Sequence, residues 1–372
     1  MAVTTSRGAQ PPSAPSAATR GLLAVVSVVP FVAAIAFLWW GFLFLRDFHA
    51  NQIIIVVLAI IWGVGGMVLL FTTANVFVEQ LPAAWTQRLT PVIFVGPAVA
   101  MLIWGLAVPS IRTLLISLSD STGLHFVGLS NYLAVFTDPA MLTVLRNNLL
   151  WLVFGTTFTV IAGLLVAVFA DRSRFETAAK AMIFMPMAIS FVGAGVIWNF
   201  VYALRPAGAP QIGMLNAFFV SLFNSAPHGW TSEFQPFNNF FLIVIVIWLQ
   251  TGYSMVLFSA AIKGIPEELL EAARVDGANE IRIFFSIMIP QIMGTIITVT
   301  TTVVIFTLKI FDVVWVMTGG NFGTSVIATE FYRQFFTYNN NGYGATLAVI
   351  LMLAVIPVMV YNLRQFAQRE VF

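Results

Sequence analysis

The sequence predicts an all-α integral membrane protein with eight spanning helices, and three observations predict it. Only 9% of the 372 residues are charged, against about 25% in soluble domains, so the chain cannot coat a water-facing surface. Hydrophobic residues make up 59% of it, and the mean hydropathy is +0.94. The apolar residues fall in runs long enough to cross the roughly 30 Å hydrocarbon layer, which takes about 20 residues of helix.

Taken in order, Met1–Arg20 is rich in Ser, Ala, Thr and Pro and reads as a disordered cytosolic tail. The run that follows exceeds a signal-peptide core and lacks a small-residue cleavage site, so it reads as a retained anchor. Eight stretches meet the length: Leu22–Leu45, Ile53–Ala74, Val92–Leu118, Leu149–Ala170, Ala181–Leu204, Phe240–Ile262, Ile292–Val316 and Ala345–Leu363. An even number puts both termini on one side. With the termini inside, eleven Lys and Arg residues fall in the cytosol and five (Arg46, Arg112, Arg146, Arg205, Arg333) outside, which favours N-in, C-in by the positive-inside rule. The expected organisation is the tail 1–20, two accessory helices in 21–90, and a six-helix core in 91–372.

Composition also excludes functions. With no cysteine there is no thiol nucleophile and no thiolate metal site. His49, His125 and His228 lie too far apart for a histidine metal centre. A net charge of +2 leaves no basic surplus for nucleic acid. A P-loop requires Gly-Lys followed by Ser or Thr, but Lys180, Lys263 and Lys309 follow Ala, Ile and Leu. No ATPase site is expected on this chain.

The loop between the sixth and seventh stretches holds five of the fifteen acids: Glu267, Glu268, Glu271, Asp276 and Glu280. Pro266 suits a first helical turn, and Glu267 and Glu268 favour the positive end of that helix. Gly277 suits a helix end in the left-handed conformation, and Asn279 suits the N-cap of a second short helix. That second helix is expected to present Ile281, Phe284, Phe285 and Met288 on one face. Two short helices therefore meet at a glycine corner. Surface-lying helices usually turn basic faces toward anionic lipid; an acidic and apolar pair suits a protein partner better. Glu271 has an internal alternative in Arg274, three residues on, worth only a few tenths of a kcal/mol.

Glu271-Ala272-Ala273, Gly277 and Ile287-Met288-Ile289-Pro290 together resemble the EAA motif of ABC-importer permeases. Ile289 stands where leucine is usual, a volume-conserving departure. Val127–Tyr132, Ile310–Gly320 and Tyr343–Ala348 are similar to the carbohydrate-uptake, MalF-like branch, nearest to α-glucoside and maltodextrin permeases. The likeness runs from about Val92 to the C-terminus, and the long external insertion of MalF itself is missing.

This resemblance implies a coupling segment, 263–290, that docks in a cleft of a cytosolic ATPase. Glu271 would pair with an arginine there, Ala272 and Ala273 would pack closely, Asp276 and Gly277 would form the corner, and Pro290 would close the motif. It implies partners: a second permease subunit, two ATPase subunits carrying ATP and Mg, and an extracytoplasmic sugar-binding protein. No cofactor is expected on this chain, and the expected location is a bacterial cytoplasmic membrane. Sugar contacts would come from the flanking spans, where Trp248, Leu249, Gln250, Tyr253 and Thr307 offer aromatic faces, an amide and hydroxyls.

Lys309 and Asp312 supply the competing reading. Set three apart in the seventh stretch, they would share a helix face, and ionisable residues in a membrane suggest function. They would form a proton-coupling pair, line the solute path, or neutralise one another to position the helix.

Overall fold

The computed structural model describes residues 17–49 and 51–369, so most of the expected tail lies outside the described residues. Its last four residues are helical, because α1 spans Ala17–Asp47. Next come α2 (Gln52–Glu79) and α3 (Ala83–Ser117), the latter running through a π turn at Ile103–Ala107. A short α4 (Ser130–Thr137) precedes α5 (Pro139–Asp171). Then follow α6 (Glu176–Ala188), α7 (Phe191–Val201) and α8 (Met214–Phe223). The long α9 spans Asn238–Lys263, and the expected elbow follows as α10 (Glu267–Val275) and α11 (Glu280–Gln291). The chain ends with α12 (Met293–Leu308), α13 (Asp312–Thr318), α14 (Ile327–Tyr332) and α15 (Asn341–Arg369). Among the described residues there is no strand, only an isolated bridge between Ser119 and Phe126.

Local chemistry starts these helices where they start. Asn51 caps α2 by accepting from the Ile53 amide at 3.0 Å. Asp138 caps α5 through the Ala140 amide at 2.8 Å, with Pro139 at the first helical position.

Among the described residues six helices are long and apolar enough to span a membrane, and up to eight spans result if each of two bent pairs counts as one. Two of the straight runs expected from sequence are broken. Ala181–Leu204 is broken into α6 and α7 at an angle of 103°. Pro186 falls in the last turn of α6, and Ser190 restarts the chain by capping Gly193 at 3.0 Å. Ile292–Val316 is likewise not one helix: α12 ends at Leu308 and α13 begins at Asp312. Lys309 occupies the C-cap of the first and Asp312 the first turn of the second, each where the helix dipole favours its charge.

The chain divides into two compact units, Met1–Ser110 and Ile111–Phe372. In the first unit α1 and α2 form a hairpin, with Phe31 stacked on Phe77 at 6.0 Å and Phe37 against Trp62 at 4.4 Å. In the second, α9 is the central post. Leu242, Ile245 and Leu249 pack with Trp151 of α5, Ala194 of α7, and Val313 and Val314 of α13. Met255 and Phe258 pack with Ala167 of α5 and with Val299 and Val303 of α12.

Four buried asparagines secure the end of this bundle where α5 begins. Asn147 donates to the carbonyls of Gly323 and Ser325 at 2.6 and 2.8 Å. Asn148 accepts from the Ile327 amide at 2.7 Å, and Asn238 donates to Phe322 at 2.8 Å. Asn239 reaches the Pro236 carbonyl at 3.1 Å. Buried backbone polar groups are costly to leave unpaired. Asn147→Ala, which strands two carbonyls, is therefore expected to cost about 1–3 kcal/mol. Denaturant unfolding in detergent checks it, and an unchanged midpoint would show that the loop does not depend on this side chain.

Candidate functional site

The first candidate site is the elbow. Its α10 closes with two hydrogen bonds, from the Gly277 amide to the Arg274 carbonyl and from the Ala278 amide to the Ala273 carbonyl, both 3.0 Å. This is the Schellman arrangement, which needs a left-handed residue, and Gly277 supplies φ +81°. Asn279 then caps α11 by accepting from the Arg282 amide at 2.8 Å. Pro266 is the N-cap residue itself, one position before the expected first turn.

Ile283, Met288 and Ile292 bury the inner side of the corner with Ile265, against Leu164, Leu270, Ala273 and Ala278. This differs from the expected face. Ile281 and Phe285 are 70% and 65% exposed, whereas Ile283 is buried. Packing against Ile265 and Ile292 selects the Ile283 side, and a π turn at Phe284–Met288, just before Pro290, widens the helix so that Met288 joins Ile283 rather than Ile281 and Phe285. A 72° bend follows at Ile292.

Charge fixes the elbow from outside. Glu280 takes Arg172, at the foot of α5, at 2.6 Å and Arg274 at 3.0 Å. Arg274 is thus engaged elsewhere, and its expected alternative pairing with Glu271 is not made. Glu271 has no ion pair among the described residues and is exposed, as are Ala272, Asp276, Gly277 and Pro290; Ala273 is half-buried. The two elbow helices also expose the apolar side chains Leu269, Val275, Ile281 and Phe285. An unpaired acid on a segment that also exposes apolar side chains suits a protein docking surface.

The second candidate site is a cavity of about 350 Å³ lined by Met187, Ile189, Phe191, Leu249, Gln250, Tyr253, Thr302 and Phe306. Leu249, Gln250 and Tyr253 share a face of α9, and Thr302 and Phe306, four apart, share a face of α12. Gln250 is 7% exposed, and its amide bonds to no group among the described residues. No lining residue carries a formal charge.

Trp248 and Thr307 point elsewhere, because each is about 100° round its helix from a lining residue. Trp248 packs edge-on against Trp198 at 5.8 Å. Thr307 is buried, donating to the Val303 carbonyl and lying 3.4 Å from the Thr156 hydroxyl. Met187, Ile189 and Phe191 join the cavity only because of the α6–α7 bend.

The bend rests on Gly252. A Cβ there would lie 2.6 Å from the Ile183 carbonyl oxygen and 2.7 Å from Phe184 Cα. Only glycine lets the backbone of α6 come so close to α9.

Lys309 and Asp312 do not form the pair expected of them. No ion pair joins them among the described residues, and the helix break removes their common face. Lys309 is exposed and does not line the cavity.

An all-helical polytopic chain with a bent-helix cavity and a free acidic elbow defines a membrane transport subunit. The chain matches the binding-protein-dependent transport system inner membrane components over residues 159–371 and belongs to that family. It is a multi-span permease of the bacterial inner membrane.

Among its relatives, the osmoprotective compounds uptake permease protein GgtC of Synechocystis sp. is 54% identical over 278 residues, covering 75% of this chain and 99% of that protein. The alpha-glucoside transport system permease protein AglF of Rhizobium meliloti is 46% identical, covering 76% of this chain and 84% of that protein. The fold is shared with a chain of a bacterial ABC transporter involved in the import of the acidic polysaccharide alginate. There the TM-score is 0.65 at 18% identity, over 77% of this chain and 99% of that one.

Proposed function

We propose that this chain forms one side of the translocation path for a neutral sugar or oligosaccharide, of the α-glucoside or maltodextrin type, in an ATP-driven importer. The observation that carries this reading is the cavity. It combines an uncharged lining, aromatic faces from Phe191, Tyr253 and Phe306, and a Gln250 amide that bonds to no group among the described residues. Aromatic rings pack on sugar C–H groups, and an amide hydrogen-bonds sugar hydroxyls. The Gln250 amide lines the cavity and is free to hydrogen-bond a ligand there. The alpha-glucoside permease among the relatives supports the same class.

The permease pairs with a second permease subunit in this reading, and both termini face the cytosol. Glu271, Ala272, Ala273, Asp276, Gly277 and Pro290 belong to the surface that meets one of two ATPase subunits. ATP and Mg are held on those subunits, and an extracytoplasmic binding protein delivers the solute. A proton relay through Lys309 and Asp312 finds no support in their separation.

The test is uptake by the reconstituted complex from a panel of labelled solutes: α-glucosides, maltodextrins and an anionic sugar phosphate. Neutral glucosides are expected to be taken up and the phosphate rejected; the reverse order would sink the substrate assignment. Gln250→Leu is expected to raise the KM for uptake about two- to twelvefold, the worth of one hydrogen bond at 0.5–1.5 kcal/mol. An unchanged KM would remove Gln250 from the path.

A further inference from the structure

Glu176 opens α6, and its Oε1 lies 2.5 Å from both Lys180 Nζ and Lys263 Nζ. The two lysines belong to different parts of the machine. Lys180 is one turn along α6, and it also meets Asp171 Oδ1, the last residue of α5, at 2.5 Å and the Ser259 hydroxyl of α9. Lys263 is the final residue of α9, and only Gly264, Ile265 and Pro266 separate it from the elbow helix α10. A single carboxylate oxygen thus joins the start of α6 to the point where the elbow begins.

At the other end of α6, about 20 Å away by helix rise, Met187 lines the cavity, with Ile189 and Phe191 just beyond. Midway, Ile183 and Phe184 bear on Gly252. The helix is therefore held at its foot beside the elbow, seated on α9 at a close backbone contact, and free at its head to shape one wall of the cavity. That is the layout of a lever.

We propose that Glu176 is a positioning residue that makes the elbow root and the cavity wall move together, through its shared bond to Lys180 and Lys263. The inference rests on the reading of the elbow as the docking surface for an ATPase. The pair is unsuited to a purely structural role: Lys263 is 53% and Glu176 31% exposed, and ion pairs so placed add little to stability. What such a pair does supply is a link that breaks and reforms without unfolding anything. The second bridge, from Arg172 through Glu280 to Arg274, ties the foot of α5 to the elbow but does not touch α6.

The test uses the whole complex in proteoliposomes, with external binding protein and a labelled neutral glucoside. ATP hydrolysis and uptake are measured together for Glu176→Gln, Lys263→Met and Glu176→Asp. Hydrolysis stimulated by the binding protein is expected to persist in all three. Solute moved per ATP is expected to fall about fivefold or more in the first two, the lower range of coupling between distant sites. Glu176→Asp, whose carboxylate the flexible lysines still reach, is expected to retain most of the coupling. Unchanged transport per ATP in Glu176→Gln or Lys263→Met overturns the inference, and so does a parallel loss of hydrolysis and transport. If the unmodified complex fails to hydrolyse ATP in response to loaded binding protein, the underlying assignment fails instead.

Discussion

Glu271→Ala is expected to leave the protein inserted and folded while the ATPase subunit no longer co-purifies with it and uptake is lost. Three observations lead to that result. The carboxylate is exposed and unpaired, because Arg274 is committed to Glu280. It lies on a short helix whose ends are fixed independently, by the hydrogen bonds around Gly277 and by the buried corner of Ile265, Ile283 and Met288. The elbow also exposes Val275, Ile281 and Phe285, so a partner that covers the elbow would exclude water from any pair Glu271 makes. Removing one member of a hydrogen-bonded pair at such an interface costs about 2–5 kcal/mol, which weakens association roughly 30-fold or more. Detergent extraction followed by pull-down with the tagged ATPase measures it. Retained ATPase together with normal uptake would mean that the elbow is not the docking surface.

The second large effect is expected of Gly252→Val. Its side chain would be driven into the Ile183 carbonyl and the Phe184 backbone, neither of which is the yielding end of a side chain. The α6 helix must then move off α9, and the wall made by Met187 and Ile189 moves with it. Overpacking of this kind costs about 1–3 kcal/mol or more, so a lower unfolding midpoint and loss of uptake are expected together. A variant that transports normally would show that the close approach of α6 to α9 is not needed for function.

The elbow was legible in the sequence because its signals are local. Gly277, Asn279 and the acidic first turn each act within a few residues, and the folded corner uses Gly277 and Asn279 as expected. The face of α11 was not, since the buried side is chosen by packing against Ile265 and Ile292, and the π turn before Pro290 shifts Met288 away from Ile281 and Phe285. Sequence reasoning also picked out Leu249, Gln250 and Tyr253 but not the residues opposite them. Those arrive through a bend that a hydropathy window averages away, although Pro186 followed by Ser190 was a stop and a restart in plain view. Lys309 and Asp312 carried a similar signal. A cation where one helix ends and an acid where the next begins mark a break, and reading them as a pair on one helix overlooked it.

The uncharged lining of the cavity has an energetic consequence for the proposed cargo. A neutral solute passing such walls neither gains nor loses energy from the voltage across the membrane. Each tenfold of accumulation costs about 1.4 kcal/mol whatever the electrical state of the cell, and the whole of it must come from nucleotide hydrolysis.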